Sequence, residues 1–169
     1  MFSNLRDFVV WRTSLVCGAF LLAFVMALAA CGGKSHVDSA GLVRYGKLSG
    51  SAVIRTAKTQ IGTKYAYGGT SPRVGFDCSG LIYWSYKQYG VELPRNTSGQ
   101  ARIGHAVSMS RIQHGDIVVF KLGRSRIHTG MYSGGGNFIH SPRTGKTVRE
   151  ERLAAAYWKA RLVSVRRVL

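Results

Sequence analysis

The sequence predicts an α+β domain, because helix-like and strand-like patterns occupy different parts of the chain. Residues 51–61 repeat apolar side chains at four-residue spacing, which is typical of an amphipathic helix. Beyond residue 116, short apolar runs alternate with glycine-containing turns, which favours antiparallel strands. Helices followed by consecutive strands indicate N-terminal helices packed on an antiparallel sheet. The 169 residues have room for one such domain after a targeting segment.

The first predicted helix covers residues 51–61. Val53, Ala57 and Ile61 are expected to share its buried face, and Gly62 follows as a stop signal. The next stretch, TKYAYGGTSPRVG, is rich in Gly, Pro and Thr and predicts a loop.

A second helix is predicted to begin after Asp77, whose carboxylate suits the N-cap position, and to end at Gly90. Cys78 therefore lies in the first turn of this helix. A third, shorter helix through residue 103 takes Asn96 or Thr97 as its cap. After it, strands are predicted at residues 117–121, 127–133, 137–141, 147–149 and 162–168, with a turn or short helix near 153–158.

The N-terminal segment carries the features of an export signal. Arg6 and Arg12 precede an almost wholly apolar run at residues 13–30, and the sequence LAAC ends at residue 31. A permanent membrane anchor is the alternative, since an apolar run of this length can span a bilayer. Small residues directly before Cys31 favour cleavage instead. LAAC resembles the bacterial lipobox, which implies cleavage before Cys31 and acylation of that residue.

These features divide the chain into three predicted parts. Residues 1–30 are a lipoprotein signal peptide, residues 31–50 a lipidated flexible tether, and residues 51–169 the globular domain. The N-terminus is therefore expected to bind a membrane through its lipid. Gly32 stands where an aspartate typically retains such lipoproteins on the inner membrane, so the resemblance implies the outer membrane, with the domain facing the periplasm.

Charge narrows the classes of partner. Without residues 1–30, the chain keeps 22 Lys and Arg against 6 Asp and Glu, a formal charge of +16. Such a surface attracts anions. The basic residues are scattered and the protein is predicted to be exported. We therefore expect anionic lipid headgroups or a carboxylate-rich cell-wall polymer as partners, and no nucleic acid.

Cysteine usage singles out Cys78. Cys17 leaves with the signal peptide and Cys31 carries lipid, so Cys78 has no disulfide partner in its own chain. A lone thiol in an oxidising compartment suggests a nucleophile, and the positive end of the helix dipole is expected to lower its pKa. A small buried hydrophobe and a zinc ligand are the alternatives.

Two histidines are the best candidates for a general base. If the glycines at residues 134–136 form a three-residue hairpin loop, Gly130 pairs with His140, and His128 is a diagonal neighbour of His140 on the same face. A two-residue loop is expected to place the histidines on opposite faces. One imidazole can act as the base while the second orients it. The zinc alternative lacks an obvious fourth ligand.

Six short motifs carry a resemblance to a known family over residues 51–169. They are YAYGGTSP at residues 65–72, FDCSGL at 76–81, LPR at 93–95, GDIVVF at 115–120, HTGMY at 128–132 and FIH at 138–140. In this order they resemble the NlpC-type papain-like peptidases, which cut peptidoglycan stem peptides. The resemblance implies Cys78 as nucleophile, His128 as base, His140 as the orienting residue and Tyr65 as a hydroxyl near the oxyanion. It implies no metal and no cofactor.

Several alternatives stay open beside this resemblance. Tyr67 competes with Tyr65, because Arg73 and Val74 add a residue to the usual spacing of the loop. Arg95 is expected to be a solvated or structural charge outside the catalytic set. The predicted function is a lipid-anchored peptidoglycan endopeptidase with Cys-His-His catalysis. A non-catalytic wall-binding lipoprotein and a Cys-His amidase or acyltransferase are the alternatives.

Overall fold

The computed structural model of the protein describes residues 48–169. The predicted signal peptide, Cys31 and residues 31–47 of the predicted tether lie outside this range, and so do the predictions made on them. Within residues 48–169, no helix combines the length and the apolar character needed to cross a membrane. The described residues form an α+β domain of the predicted kind, with helices before most of the strands.

The first helix, α1, spans Gly50–Lys58 and buries Val53 and Ala57 as predicted. The prediction that it reaches residue 61 is wrong, and Ile61 is half exposed. The backbone N–H groups of residues 59–61 bond to carbonyl groups three residues earlier. The chain therefore winds more tightly after the helix, which turns Ile61 away from the buried face.

Polar side chains cap the first three helices. Helix α2 spans Cys78–Lys87 and helix α3 spans Thr97–Gln100. Asp77 accepts a hydrogen bond from the backbone N–H three residues ahead, as predicted, and Ser49 and Asn96 do the same for α1 and α3. The cap of α3 is therefore the first of the two predicted candidates, and this helix ends at residue 100 instead of 103.

The predicted loop at residues 63–75 contains part of a small β-ribbon. Strands β1 (Thr70–Ser71) and β2 (Gly75–Phe76) pair antiparallel, so the prediction of loop throughout is wrong. Two residues per strand are too few for a periodic pattern to show. Gly75 permits the ribbon, because its φ is 105° and a β-carbon there would lie 2.5 Å from the Lys64 carbonyl oxygen.

A six-stranded antiparallel sheet follows, in the order β3-β8-β4-β5-β6-β7. Its strands are β3 (His105–Ala106), β4 (Ile117–Lys121), β5 (Ile127–Gly134), β6 (Asn137–His140), β7 (Arg149–Arg152) and β8 (Leu162–Arg167). A 3-10 turn covers Met109–Arg111, and a short helix, α4 (Ala156–Lys159), joins β7 to β8 where a turn or short helix was expected.

Strands β3 and β7 depart from the prediction. The predicted strand at 147–149 is observed at 149–152, because the backbone of residues 146–148 bonds to residues 62–65 instead of to β6. Strand β3 has two exposed residues and therefore no apolar alternation that could have revealed it. It pairs with β8 through His105 and Arg167.

The sheet is buried on both faces. On one face, apolar side chains of the sheet pack against α1 and α2, among them Ile117, Val119, Met131 and Ile139. On the other face, Val118, Phe120, Phe138 and Val165 pack with Trp158 of α4. Alternate residues of β4 therefore serve two separate clusters. Helix α2 contacts β5 on the first face, which places the N-terminus of this helix beside the sheet.

Candidate active site

The β5–β6 hairpin sets the positions of the two histidines. Tyr132 pairs with Phe138 as predicted, but Asn137 pairs with Gly134 rather than with Ser133. The predicted three-residue loop is therefore wrong, and a bulge at Ser133 followed by a two-residue loop replaces it. Because the bulge adds one residue to β5, the register beyond it is the predicted one.

His128 and His140 consequently share one face of the hairpin. His128 Nε2 lies 2.8 Å from His140 Nδ1, and the ring planes are nearly perpendicular, at 86°. Both side chains are buried. Gly130 lies beside them, since a β-carbon at this position would be 3.3 Å from His140 Cβ. The two imidazoles therefore meet through one hydrogen bond, and the absence of a side chain at residue 130 leaves room for it.

Burial lowers the pKa of both histidines. The pKa of His128 falls to about 3, because burial, His140 and Arg126 disfavour the imidazolium against an opposing effect of Glu151. The pKa of His140 also falls to about 3, through burial and the charge of Arg149. Each imidazole is therefore neutral near neutral pH and carries a single N–H, and a neutral ring can accept a proton.

Aromatic rings enclose the histidine pair. Trp158 stacks on His128, with 5.5 Å between ring centroids and 26° between the planes, and it meets His140 edge-on at 5.1 Å. Phe138 lies 4.8 Å from His140, and Phe120 lies 6.3 Å from His128, both between ring centroids. This apolar wall is the reason why the imidazolium forms are disfavoured.

Cys78 is the first residue of α2 and lines the same cavity as His128. No other cysteine occurs within residues 48–169. The expectation that its pKa is lowered is wrong. Burial raises the pKa of the thiol and the Asp77 carboxylate adds to this, which outweighs the opposite effect of the backbone N–H groups of Thr129 and Ser79. The free protein therefore holds Cys78 as a neutral thiol.

A network around Asp77 fixes the N-terminus of α2. Arg95 donates to both carboxylate oxygens of Asp77, at 2.9 and 2.8 Å, and also to Ser79 Oγ and the Gly69 carbonyl. Burial by itself raises the pKa of Asp77, but the Arg95 guanidinium and backbone N–H groups, including that of Gly68, hold it below its usual value. Arg95 is thus structural rather than solvated, and it ties α2 to the preceding loop.

Tyr65 and Tyr67 both line the cavity, in very different environments. Tyr65 is partly buried and its backbone N–H donates to the Lys146 carbonyl at 2.8 Å, whereas Tyr67 is 94% exposed. Burial raises the pKa of Tyr65, and the electrostatic effects of Cys78 and Asp77 add to this. The Tyr65 hydroxyl is therefore within electrostatic reach of the thiol, which favours Tyr65 over Tyr67.

Gln100 is a buried residue that links α2 to β5, and sequence reasoning missed it. It is fully buried, its Nε2 donates to the carbonyls of Ser79 and Pro94 at 2.9 Å, and its Oε1 accepts from Thr129 Oγ1 at 3.0 Å. These bonds join the first turn of α2 to the strand residue next to His128. A lone glutamine in a polar stretch carries no sequence signal for this role.

Glu151 and Trp158 were missed as well. Trp158 Nε1 and the Arg149 side chain both donate to the Glu151 carboxylate, whose Oε1 lies 3.5 Å from His140 Nε2. The register of β6 and β7 pairs Glu151 with Phe138, and therefore places it on the face of His140. Residues 149–152 are all charged, so no apolar alternation in the sequence marks this strand or singles out Glu151.

The cavity between these elements has a volume of about 1060 Å³. Cys78 and His128 both line it, and so does Glu151. Within residues 48–169, no three His, Cys, Asp or Glu side chains cluster closely enough to hold a metal ion. The chemistry that the described side chains can supply is nucleophilic attack by a thiol, with an imidazole as proton acceptor.

A cysteine at a helix N-terminus and a histidine pair on an antiparallel sheet define the papain-like class of cysteine hydrolase folds. The profile of the NlpC/P60 family matches residues 62–167. The chain belongs to the NlpC/P60 family.

Relatives and solved structures agree with this membership. The chain is 42% identical over 115 residues to murein DD-endopeptidase MepH of Escherichia coli, covering 65% of this chain and 42% of that protein. It is 39% identical over 121 residues to the probable endopeptidase YafL of Escherichia coli, covering 69% and 49%. The chain thus spans less than half the length of these two curated relatives.

Two crystal structures show the same fold. An NlpC/P60 family protein from Bacillus cereus superposes with a TM-score of 0.68 and 35% identity, covering 72% of this chain and 41% of that chain. The NlpC/p60 domain of the peptidoglycan hydrolase SagA superposes with a TM-score of 0.62 and 30% identity, covering 72% of this chain and 100% of that domain. The predicted papain-like fold is confirmed.

Proposed function

We propose that this chain is a cysteine-type peptidoglycan endopeptidase, which hydrolyses amide bonds in or between murein stem peptides. The observation that carries the proposal is a cavity lined by both the Cys78 thiol and His128, whose ring is hydrogen-bonded to His140. Membership of the NlpC/P60 family and the endopeptidase names of MepH and YafL supply the reaction class and the substrate.

The first step is attack by Cys78 Sγ on the scissile carbonyl carbon. Because the thiol is neutral and the imidazoles are neutral, the thiol proton passes to His128 as the C–S bond forms. His140 occupies Nε2 of His128, so Nδ1 is the nitrogen left to accept this proton. His140 holds the ring in that orientation.

The negative charge of the tetrahedral intermediate needs donors near Cys78. As the first residue of α2, Cys78 has a backbone N–H without an intrahelical partner. The Tyr65 hydroxyl, whose pKa is raised, stays protonated and is the second donor. His128 then gives its proton to the leaving amine, which leaves a thioester on Cys78. In the second half of the reaction, His128 takes a proton from the attacking water and passes it to Cys78 Sγ as the C–S bond breaks, which regenerates the thiol.

The charges at the cavity suit a polymer rich in carboxylates. Its wall carries more cationic than anionic side chains, namely Arg95, Arg126, Arg143 and Arg149 against Asp77 and Glu151. Both acids are already paired, Asp77 with Arg95 and Glu151 with Arg149. Exposed Arg126 and Arg143 are therefore the side chains available to attract substrate carboxylates.

We also propose that residues 1–30 direct export, and that lipid on Cys31 anchors the domain to the outer membrane, facing the periplasm. The support is the apolar run that ends in LAAC, together with Gly32 after the cysteine. Cys31→Ser is expected to leave an uncleaved precursor without lipid. Mass spectrometry of the membrane-extracted protein tests this, and normal cleavage before residue 31 in the variant would contradict it.

The substrate bond is tested by digesting purified sacculi with the protein and analysing the products by mass spectrometry. An endopeptidase shortens stems that stay attached to sugar or separates cross-linked stems. An amidase releases intact stems from the glycan, and a non-catalytic wall-binding protein releases nothing. Stem cleavage that disappears in His128→Ala supports the proposal, while intact free stems or no products overturn it.

A further inference from the structure

The buried polar atom His140 Nε2 lacks a hydrogen bond within the described residues. Its neighbour Nδ1 is occupied by His128, and the ring itself is fully buried. A buried N–H or lone pair without a partner is costly. A charged group beside Nε2 therefore favours one of two states, in which this nitrogen carries either a proton or a lone pair. That group is Glu151, whose Oε1 lies 3.5 Å away.

We propose that Glu151 is a positioning residue, which sets the tautomers of both histidines so that His128 can accept the thiol proton. This inference rests on the proposed peptidase function. It concerns a residue that touches neither the thiol nor the scissile bond in the mechanism above, and that acts through His140.

The tautomers follow from one another along the hydrogen-bonded pair. His128 can accept a proton at Nδ1 only if its single N–H is at Nε2. That N–H then donates to His140 Nδ1, 2.8 Å away, which obliges His140 to carry its own proton at Nε2. The opposite choice leaves a proton on His128 Nδ1 and a lone pair on His140 Nε2.

A carboxylate beside His140 Nε2 separates these two states. Its negative charge attracts an N–H and repels a lone pair, and the apolar surroundings strengthen both effects. At 3.5 Å the contact is longer than an ordinary N–H···O hydrogen bond, so in this structure it is electrostatic. The state favoured by Glu151 is the one in which His128 is ready to act as a base.

The carboxylate is itself held in place. Trp158 Nε1 donates to Oε2, and the Arg149 side chain bonds to Oε1, the oxygen that faces His140. Trp158 also stacks on His128, so this one side chain contacts both Glu151 and His128, the first and last residues of the series Glu151, His140 and His128. Glu151 is only 23% exposed, and its bonds to Trp158 and Arg149 hold its carboxylate beside the histidine pair.

The matched control lies next to it in the same strand. Glu150 is the neighbour of Glu151, forms an ion pair with Lys58 at 3.1 Å and projects to the opposite face of β7. Glu150→Gln removes a carboxylate from the adjacent position of β7, as Glu151→Gln does, but it leaves the contacts of His128 and His140 unchanged.

The test combines nitrogen NMR of the histidine rings with kinetics on soluble muropeptides. In the wild-type protein, we expect the protons at Nε2 of both His128 and His140. In Glu151→Gln we expect a mixture of tautomers and a fall in kcat of about 10- to 100-fold with little change in KM, the size typical of outer-shell partners. Glu150→Gln is expected to match the wild type in both measurements.

The NMR result needs no substrate, so it separates this inference from the proposed function. A wild-type spectrum with the proton of His140 on Nδ1 overturns the role of Glu151, whatever the activity and whether or not the variant folds. Wild-type tautomers and kcat in a folded Glu151→Gln overturn it as well. An inactive wild-type protein with the expected tautomers overturns the peptidase proposal instead.

Discussion

Gly130 lies so close to Phe138 that a β-carbon at residue 130 would be 2.6 Å from the Phe138 ring carbon Cδ2. The β-carbon at residue 130 would also be 3.1 Å from the Ile139 carbonyl oxygen and 3.3 Å from His140 Cβ. Close packing of Phe138 against the strand therefore depends on glycine, and Phe138 is one of the rings that enclose the histidine pair. The absence of a side chain at residue 130 therefore matters both for the packing of Phe138 in the core and for the position of the histidine pair.

Gly130→Ala is expected to lower the free energy of unfolding by about 1–3 kcal/mol, because the Phe138 ring and the strand backbone must shift to admit a methyl group. Denaturant unfolding measures the change. Gly123→Ala is the matched control, since a β-carbon at Gly123 meets nothing within 4 Å. Equal stability of the two variants would show that the contact at residue 130 relaxes without cost.

The two histidines are expected to differ in their tolerance of asparagine. His140→Asn keeps a side chain that can hydrogen-bond His128, so it should retain more activity than His140→Ala. His128→Asn should be as inactive as His128→Ala, because an amide does not accept the thiol proton. Turnover of the four variants at one pH decides this. A His140→Ala enzyme with wild-type turnover would show that the second histidine is merely structural.

Acid is expected to destabilise the domain through the same histidines. Their pKa values fall from 6.5 to about 3 on folding, so between these pH values the unfolded chain binds more protons than the folded one. The stability that results is fully present above pH 6.5 and is lost as the pH falls toward 3. Each histidine contributes a slope of about 1.4 kcal/mol per pH unit within this window.

Urea unfolding of the wild type and of His140→Asn between about pH 4.5 and pH 6 measures this slope. In the variant, the slope of the free energy of unfolding against pH should be smaller by about 1.4 kcal/mol per pH unit, because one of the two histidines is gone. Asp77, whose pKa is lowered, acts in the same direction but only at more acidic pH, so this window avoids it. Parallel curves for the two proteins would show that His140 is not held neutral by the fold.

The elements that local chemistry specifies were predictable from the sequence. Asp77 is an N-cap by residue type, which places Cys78 at the start of a helix, and period-two alternation places His128 and His140 on strands. The hairpin register was predicted correctly although its loop was not. A run of three glycines is compatible with several loops, and only the observed bulge at Ser133 distinguishes them.

The supporting residues depend on tertiary contacts that no local pattern contains. Gln100 joins α2 to β5 across 29 positions of sequence. Glu151 reaches His140 because β7 pairs with β6 in a register that sets Glu151 opposite Phe138. The pKa of Cys78 is a further example. Its position at a helix terminus was predictable, whereas the burial and the Asp77 carboxylate that raise its pKa appear only in the folded domain.

The most direct test of the account is the activity of Cys78→Ala on purified sacculi, measured by mass spectrometry of the released muropeptides. Alanine suits the first turn of a helix, so the variant is expected to fold and to unfold with a thermal midpoint close to that of the wild type. We expect it to release no cleaved stem peptides, because no other thiol lies within residues 48–169. Wild-type product release by a folded Cys78→Ala would contradict the assignment of Cys78 as the nucleophile.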